Sequence, residues 1–270
     1  MKISEQEFKK FSEYIRSNFG ISLSNKKVTF LTSRLGSLIE KSGFKTFSDY
    51  YNYVTNDKNG DSVIEMINKI TTNYTYFFRE EKHFEYLKNI VLPYVIDKEK
   101  NARDLRIWSA GCSSGEEPYT LQMIIKDVLK EQCSNWDTKL LATDISTKVL
   151  TKAQNGIYSN ESVEKMPKHW QDKYFKKYDT DSVVVKDMIK NEIIYRRFNL
   201  MHPFPFKRKF HIIFCRNVMI YFNNETKNQL INKFYEFTEP GGYLFIGHSE
   251  SIDRNHSKYK YLQPAIYRKE

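Results

Sequence analysis

Residues 105–131 carry the pattern that decides the fold: LRIWSA (105–110), the turn GCSSGEE (111–117) and EEPYTLQMIIKDVLKE (116–131). The first segment is a short apolar run rich in β-forming residues, which predicts a buried strand. The turn contains Gly111 and Gly115, and glycine lets a backbone pass close to a ligand because no Cβ intervenes. The third segment has the length and apolar spacing of a helix.

The same order of strand and helix recurs further along the chain. KLLATDIS (139–146) precedes TKVLTKAQ (147–154), and FHIIFCRN (210–217) precedes ETKNQLINKFYEFTEP (225–240). Strands that alternate with helices predict an α/β domain with a parallel, doubly wound sheet of the Rossmann-like type. Two further predicted strands, YLFIGHSE (243–250) and AIYRK (265–269), could form an antiparallel hairpin at one edge.

One stretch departs from this alternation. SVVVKDMI (182–189) and EIIYRRFN (192–199) look like two strands joined by a short polar link. We interpret them as a small antiparallel β-subdomain, at about residues 178–198, inserted in the Rossmann-like core.

Residues 1–90 have the apolar spacing of helices instead. One stripe runs from Phe8 to Phe19 and another from Val28 to Ile39, with Ser24 and Gly43 as start and stop signals of the second helix. Shorter helices are predicted at 46–55 and 61–70. The resulting division is a helical domain at 1–72, a linker with a connecting helix at 73–100, and the α/β domain at 101–270.

Composition restricts the class of protein. The 270 residues include no run of eighteen apolar residues, and the N-terminal MKISEQEFKKF lacks the apolar segment of a signal peptide. The three cysteines are far apart in the chain, and neither they nor the six histidines have the spacing of metal ligands. We therefore expect no disulfide and no metal site. We also expect a cytoplasmic location. The net charge of +10 fits a nucleic-acid partner, an acidic protein partner or simply a solvated lysine-rich surface.

The turn after the first strand favours a particular kind of ligand. Glu116 and Glu117 stand at the predicted helix start, where they would repel a pyrophosphate but tolerate a cation. S-adenosylmethionine carries a sulfonium and an ammonium and has no phosphate. Asp144 ends the second strand, where a carboxylate can bind both ribose hydroxyls. The pattern indicates a class I methyltransferase fold.

Five segments, taken in chain order, also carry a family resemblance. They are ITTNYTYFFREEKHFEYL (70–87), RIWSAGCSSGEEPYTLQM (106–123), LLATDISTKVLTKAQNGIY (140–158) and FHIIFCRNVMIYFNNE (210–225), followed by LFIGHSES (244–251). In this order they resemble the chemotaxis receptor methyltransferase (CheR) family over nearly the whole chain. The resemblance implies a helical N-terminal domain, a linker, and a Rossmann-like domain with an inserted β-subdomain.

The resemblance also implies roles for residues that match the family motifs. Arg79 would lie close to the reactive methyl, and Tyr221 would face the transfer site; we assign these two the catalytic roles of orienting the acceptor and shaping the methyl pocket. Asp144 would bind the ribose. The expected cofactor-binding residues are Asn73, Thr75, Arg79, Gly111, Glu117, Asp144, Asn199, Leu200, Asn217 and Val218.

The implied reaction forms methyl esters on glutamates of chemoreceptor cytoplasmic helices, with S-adenosylhomocysteine as the product. We expect a monomer without nucleic-acid or membrane partners, whose basic N-terminal face, including Lys26, Lys27 and Arg34, docks the acidic receptor helices. Some family members grip a receptor-tail peptide through a glycine-bearing loop. YDTDSVVVKDMIKNEI (178–193) contains no glycine, which predicts methylation independent of a tail peptide.

Two other functions compete with this interpretation. The basic charge is compatible with a nucleic-acid methyltransferase, but CRNVMIY (215–221) lacks the two prolines of the motif that amino-methylating enzymes share. Cys112 and Cys215 could be nucleophiles, although small apolar filling is the simpler role. A module that binds S-adenosylhomocysteine without catalysis is the third reading, and the joint presence of Asn73, Arg79, Asp144 and Tyr221 argues against it.

Overall fold

The computed structural model describes residues 1–24 and 27–270, which form two compact units. The first unit comprises Met1–Asn73 with Tyr221–Thr226, and the second comprises Tyr74–Ile220 with Lys227–Glu270. In the described residues no helix has both the length and the apolar character needed to cross a bilayer.

The first unit is helical, as the apolar spacing predicts. Its helices are α1 (Glu5–Phe19), α2 (Val28–Lys41), α3 (Phe47–Thr55) and α4 (Asp61–Ile70). Helix α1 starts with a capping box, in which Ser4 accepts from the Glu7 backbone N–H while the Glu7 carboxylate accepts from the Ser4 N–H. Each helix buries one apolar face, and the buried side chains include Phe8, Phe11, Ile15, Leu31, Leu35, Tyr50 and Ile67.

Helix α2 begins later than its predicted start signal. Its N-terminal flanking residue is Lys27, which makes no side-chain cap, and Ser24 contributes only its carbonyl, 2.8 Å from the Lys27 N. Gly43 follows the end of the helix with a φ of +80°, as a stop signal should. Of the predicted docking residues, Lys26 lies outside the described residues.

The second unit contains a seven-stranded mixed sheet and a three-stranded antiparallel sheet. The strands are β1 (Ile107–Ala110), β2 (Leu140–Asp144), β3 (Ile157–Ser159), β4 (Phe175–Lys177), β5 (Ser182–Val185), β6 (Ile193–Arg197), β7 (Phe210–Cys215), β8 (Thr238–Ile246), β9 (Lys260–Gln263) and β10 (Ile266–Arg268). The helices are α5 (Lys82–Tyr86), α6 (Leu92–Lys98), α7 (Glu116–Leu129), α8 (Thr147–Asn155), α9 (Asn160–Glu164), α10 (Lys168–Tyr174), α11 (Asp187–Lys190) and α12 (Asn224–Phe237).

The large sheet has the order β6-β2-β1-β7-β8-β10-β9. Its first five strands are parallel, and β10 pairs antiparallel with both β8 and β9. The predicted α/β fold is therefore confirmed, with the antiparallel pairs at one edge. Because the carboxyl ends of parallel strands meet at one edge of a sheet, the segments after β6, β2, β1 and β7 are brought together.

The small sheet differs from the predicted β-subdomain. Its order is β3-β5-β4, so it draws on residues 157–159 and 175–177 as well as 182–185. Residues 193–197, which we assigned to it, form β6 and pair in parallel with β2 of the large sheet. The range 178–198 is thus wrong, because strand-forming residues indicate a strand without indicating its partner.

Residues 74–100 of the predicted linker and connecting helix (73–100) belong to the second unit. Phe77, Phe84 and Leu87 are buried in its hydrophobic core, together with residues of the sheet and of α7. The full burial of such side chains contributes about 1.5–3 kcal/mol each. This packing fixes the segment that carries Arg79.

Candidate active site

The turn after β1 is held in a conformation that only small side chains allow. Gly111 and Gly115 have φ values of +90° and +97°, and Ser113 between them has +48°. A Cβ on Gly111 would come within 2.4 Å of Val218 Cγ2. The turn and the residue after Asn217 are therefore packed closely, and this approach requires glycine at position 111.

Asp144 lies beside this turn, at the end of β2. Its carboxylate accepts hydrogen bonds from the backbone N–H groups of Ser113 and Ser146, each at 2.9 Å. Burial raises the pKa of Asp144, and these two hydrogen bonds oppose part of the rise. Ser146, as expected, provides the cap of α8. Asp144 therefore connects the turn after β1 to the segment before α8, and the cap of α8 is Ser146.

The two glutamates at the start of α7 have different surroundings. Glu116 is buried and accepts from the Ser114 hydroxyl at 2.7 Å, and burial raises its pKa. Glu117 accepts from the Ser109 hydroxyl at 2.7 Å and from Arg216 Nη1 at 2.9 Å. The charge of Glu117 is therefore balanced by a buried arginine that the sequence argument did not include.

Arg79 occupies a strained turn. Its neighbours Phe78 and Glu80 have φ values of +59° and +60°, and side chains in this region cost about 1–3 kcal/mol each. Arg79 Nη1 donates to the Tyr74 carbonyl at 2.8 Å, and its guanidinium lies 6.0 Å from the Tyr76 ring centroid. The guanidinium is only partly buried, so it remains accessible to an acceptor.

Asn217 and Val218 follow β7 at the same edge of the sheet. Asn217 has a φ of +58°, and its backbone N–H donates to Glu250 at 3.0 Å. Burial raises the pKa of Glu250, while four backbone hydrogen bonds to its carboxylate oppose the rise. Asn217 is thereby held in an uncommon backbone conformation, and its Nδ2 donates to Glu80 at 3.4 Å.

Asn199 and Leu200 follow β6. The N–H of Phe198 donates to the Asp144 carbonyl at 2.9 Å, which places this segment next to the end of β2. Asn199 Oδ1 accepts from the Met201 N–H at 3.0 Å, and Leu200 is buried. The structure therefore brings Gly111, Glu117, Asp144, Asn199, Leu200, Asn217 and Val218 to one edge of the large sheet.

The remaining predicted residues lie in the segment before α5 or in the other unit. Thr75 belongs to the second unit and precedes Arg79 by four positions. Asn73 and Tyr221 belong to the first unit, where the Tyr221 hydroxyl accepts from the Thr72 N–H at 3.0 Å. The roles of Asn73 and Tyr221 stay predictions.

A group of possible metal ligands also lies in the second unit. Glu80, His83 and His248 each offer an atom, and these atoms lie within 4.8 Å of one another. Burial and the charge of Arg216 lower the pKa of His83 to about 3, so its ring is neutral. Arg216 Nη2 lies 3.1 Å from Glu80, and a metal cation there would meet this like charge. The sequence prediction of no metal site overlooked this group, because His248 is far in the chain from Glu80 and His83.

The cysteines near the site are poor nucleophiles. Cys112 and Cys215 are fully enclosed, and burial raises the pKa of both thiols well above the ordinary value. Since the thiolate is the reactive form, these thiols serve as small apolar filling.

Comparison with known proteins identifies two matching family models. The family described as "CheR methyltransferase, SAM binding domain" matches residues 73–267, and "CheR methyltransferase, all-alpha domain" matches residues 6–71. The chain is 44% identical to a chemotaxis protein methyltransferase of Borreliella burgdorferi, over 100% of this chain and 96% of that protein. It is 36% identical to a probable chemotaxis protein methyltransferase of Rhizobium etli, over 88% and 90%. Chemotaxis protein methyltransferase 2 of Vibrio cholerae is 34% identical, over 93% and 88%.

Proposed function

The chain belongs to the CheR methyltransferase family, and from this we propose that it transfers the methyl group of S-adenosylmethionine to glutamate carboxylates of chemoreceptors. Together, the two family matches extend over nearly the whole chain. The observation that carries the proposal is the edge where the glycine turn, Asp144 and the segment after β7 converge, because this arrangement suits a ligand with a ribose and no phosphate.

The residues at this edge fit the cofactor. Asp144 would hold the ribose hydroxyls, Asn199 and Leu200 would flank the adenine, and Gly111 would allow the turn to pack on Val218, where a Cβ would clash. Asn73, Thr75, Glu117, Asn217 and Val218 complete the proposed contacts. The bound cofactor supplies an electrophilic methyl group on a sulfonium.

The chemistry needs little from the protein beyond position. A glutamate side chain has an ordinary pKa of about 4.3, so it is ionised at neutral pH and requires no general base. With S-adenosylmethionine bound, the methyl carbon would be transferred to a carboxylate oxygen, and the electron pair of the broken carbon–sulfur bond would stay on sulfur. Arg79 orients the carboxylate through its planar guanidinium, and Tyr221 shapes the pocket around the methyl group.

The proposed partner is the acidic methylation region of a receptor's cytoplasmic helices. Lys27 and Arg34 belong to the basic face of the first unit, and Arg34 is exposed beside the Phe30 ring. Opposite charges on the two partners would speed their encounter. A cytoplasmic, monomeric enzyme fits this role.

We also propose that this enzyme acts without a receptor-tail peptide. The turn between β4 and β5 is short and polar, and Asp179 at its start accepts from the Asp181 N–H at 2.9 Å. Calorimetry with a receptor-tail pentapeptide should detect no binding in the low-micromolar range. Binding at that affinity would refute tail independence while leaving the reaction itself untouched.

The acceptor can be identified directly. A purified chemoreceptor cytoplasmic fragment, incubated with the enzyme and S-adenosylmethionine, should carry methyl esters on glutamates when its peptides are sequenced by mass spectrometry. Methylated lysine, or a methylated nucleic acid in a parallel incubation, would favour another acceptor. Cofactor binding without transfer to any receptor would favour the non-catalytic module.

A further inference from the structure

Glu80 follows Arg79 directly, and its side chain turns back into the second unit. Both neighbours of Arg79 have left-handed backbone conformations, with φ values of +59° for Phe78 and +60° for Glu80. Such a conformation persists only where surrounding contacts hold it. Contacts around Arg79 must therefore hold its turn in this conformation.

The carboxylate of Glu80 accepts hydrogen bonds from three residues, and His83 Nδ1 also lies 3.4 Å from one of its oxygens. One oxygen accepts from Arg216 Nη2 at 3.1 Å and Nε at 3.4 Å. The other accepts from the His248 N–H at 3.2 Å and from Asn217 Nδ2 at 3.4 Å. One side chain thus ties the Arg79 turn to the residues that follow β7 and β8.

Arg216 continues this network to the cofactor edge. Its side chain is 2% exposed, and it donates both to the carbonyl of Arg79 and to Glu117 at 2.9 Å. Arg216 thus carries one positive charge between two carboxylates, so removing the charge of Glu80 leaves the Arg216–Glu117 pair and weakens the link from this pair to the Arg79 turn. Burial alone would raise the pKa of Glu80, but the charge of Arg216 and the hydrogen bond from His248 outweigh it, and the pKa is lowered.

We propose that Glu80 is a positioning residue for methyl transfer, which holds the turn of Arg79 through Arg216 and the His248 backbone and holds the side chain of Asn217 directly. It does not touch the acceptor or the cofactor itself. The inference rests on the proposed function, because it assigns Glu80 a role through Arg79 in that reaction.

The neutral variant Glu80→Gln keeps the size of the side chain and removes its charge. We expect kcat to fall about tenfold to a hundredfold, the scale at which small misplacements act on catalysis. Affinity for S-adenosylmethionine and the melting temperature should change far less than kcat. Glu81→Gln is the matched control, because Glu81 is exposed and makes no capping hydrogen bond; it should keep wild-type turnover.

A double variant separates positioning from a general structural effect. Arg79→Lys keeps a positive charge but loses the planar guanidinium. In the Arg79→Lys variant, the further change Glu80→Gln should lower kcat by about twofold or less, because both changes disturb the same catalytic arrangement. If Glu80→Gln lowered kcat as strongly in the Arg79→Lys variant as in the wild-type enzyme, the proposal would be overturned. Wild-type kcat for Glu80→Gln alone would also overturn it, as would a loss of kcat matched by equal losses of cofactor affinity and stability.

Arg216→Lys tests the same network if Glu80→Gln folds poorly. A lysine ammonium is a point charge and cannot reach three partners in the guanidinium geometry. Reduced kcat that is again non-additive with Arg79→Lys supports the proposal, and unchanged kcat refutes it. Failure of the proposed function would look different: the wild-type enzyme itself would form no methyl ester on any receptor.

Discussion

Backbone strain is concentrated around the candidate active site. Of the seven non-glycine residues with positive φ in the described part of the chain, four (Phe78, Glu80, Ser113 and Asn217) lie beside Arg79 or at the carboxyl ends of the strands. Each costs about 1–3 kcal/mol, so the surrounding contacts must outweigh the strain. These contacts include the hydrogen bonds of Glu80, Asp144 and Glu250.

Arg79 is the residue whose loss should affect turnover most specifically. Arg79→Ala removes the planar donor proposed to orient the acceptor carboxylate, and we expect kcat to fall about a hundredfold or more. Cofactor affinity should fall far less, as measured by calorimetry with S-adenosylhomocysteine. Near-normal turnover in a variant that still binds cofactor would show that Arg79 has another role.

Gly111 tests whether the turn is as tight as the structure indicates. Gly111→Ala would place a methyl 2.4 Å from Val218 Cγ2 at a φ of +90°, so we expect a loss of about 1–3 kcal/mol of stability and weaker cofactor binding. Adding Val218→Ala should recover part of the stability. Gly36→Ala is the control, since no atom lies within 4 Å of the added carbon, and denaturant unfolding should show no loss. Equal behaviour of the two alanine variants would argue against the tight turn.

Among the elements, helix α2 carries the proposed docking face. Lys27→Glu with Arg34→Glu should raise KM for the receptor fragment and flatten its dependence on salt, because exposed charges act on association. Binding of S-adenosylmethionine should not change. The same reversal at Lys9 and Lys10, which are exposed on α1, provides the control. If both pairs have equal effects, net charge rather than the α2 face governs docking.

The elements also show what sequence patterns can and cannot predict. The strands β1, β2 and β7 and their helices were predictable, because each strand is a buried apolar run followed by a long stretch with helical spacing. The strands β3 and β4 have three residues each, too few for a period to be visible. Strand β6 was recognised but placed in the wrong sheet, since its pairing with β2 depends on the packing of the whole unit.

For the candidate site, the predictable part is local in sequence. The glycine turn follows β1 and Asp144 ends β2, and from such positions the sequence predicts ligand binding. Arg216 was missed although it lies in a quoted motif, because only the fold shows that Glu80 and Glu117 meet on it. The same holds for His83 and His248, which pack with ring centroids 4.5 Å apart.

At the scale of the whole molecule, two structural units match two family models, one all-helical and one cofactor-binding. The net charge of +10 is spread over a chain whose proposed partner is acidic. Both observations agree with an enzyme that recognises a protein surface and modifies a side chain on it. The central claim is the chemical identity of that modification.

The most direct test is the transfer of labelled methyl from S-adenosylmethionine to membranes that contain chemoreceptors, followed by mild alkali. We expect the label to appear on the receptor and to leave as volatile methanol, because a carboxyl methyl ester hydrolyses under these conditions. Asp144→Ala, which lacks the proposed ribose ligand, should transfer far less label. Label that resists alkali would mean methylation at nitrogen or carbon and would contradict the assignment of a glutamate carboxylate as acceptor.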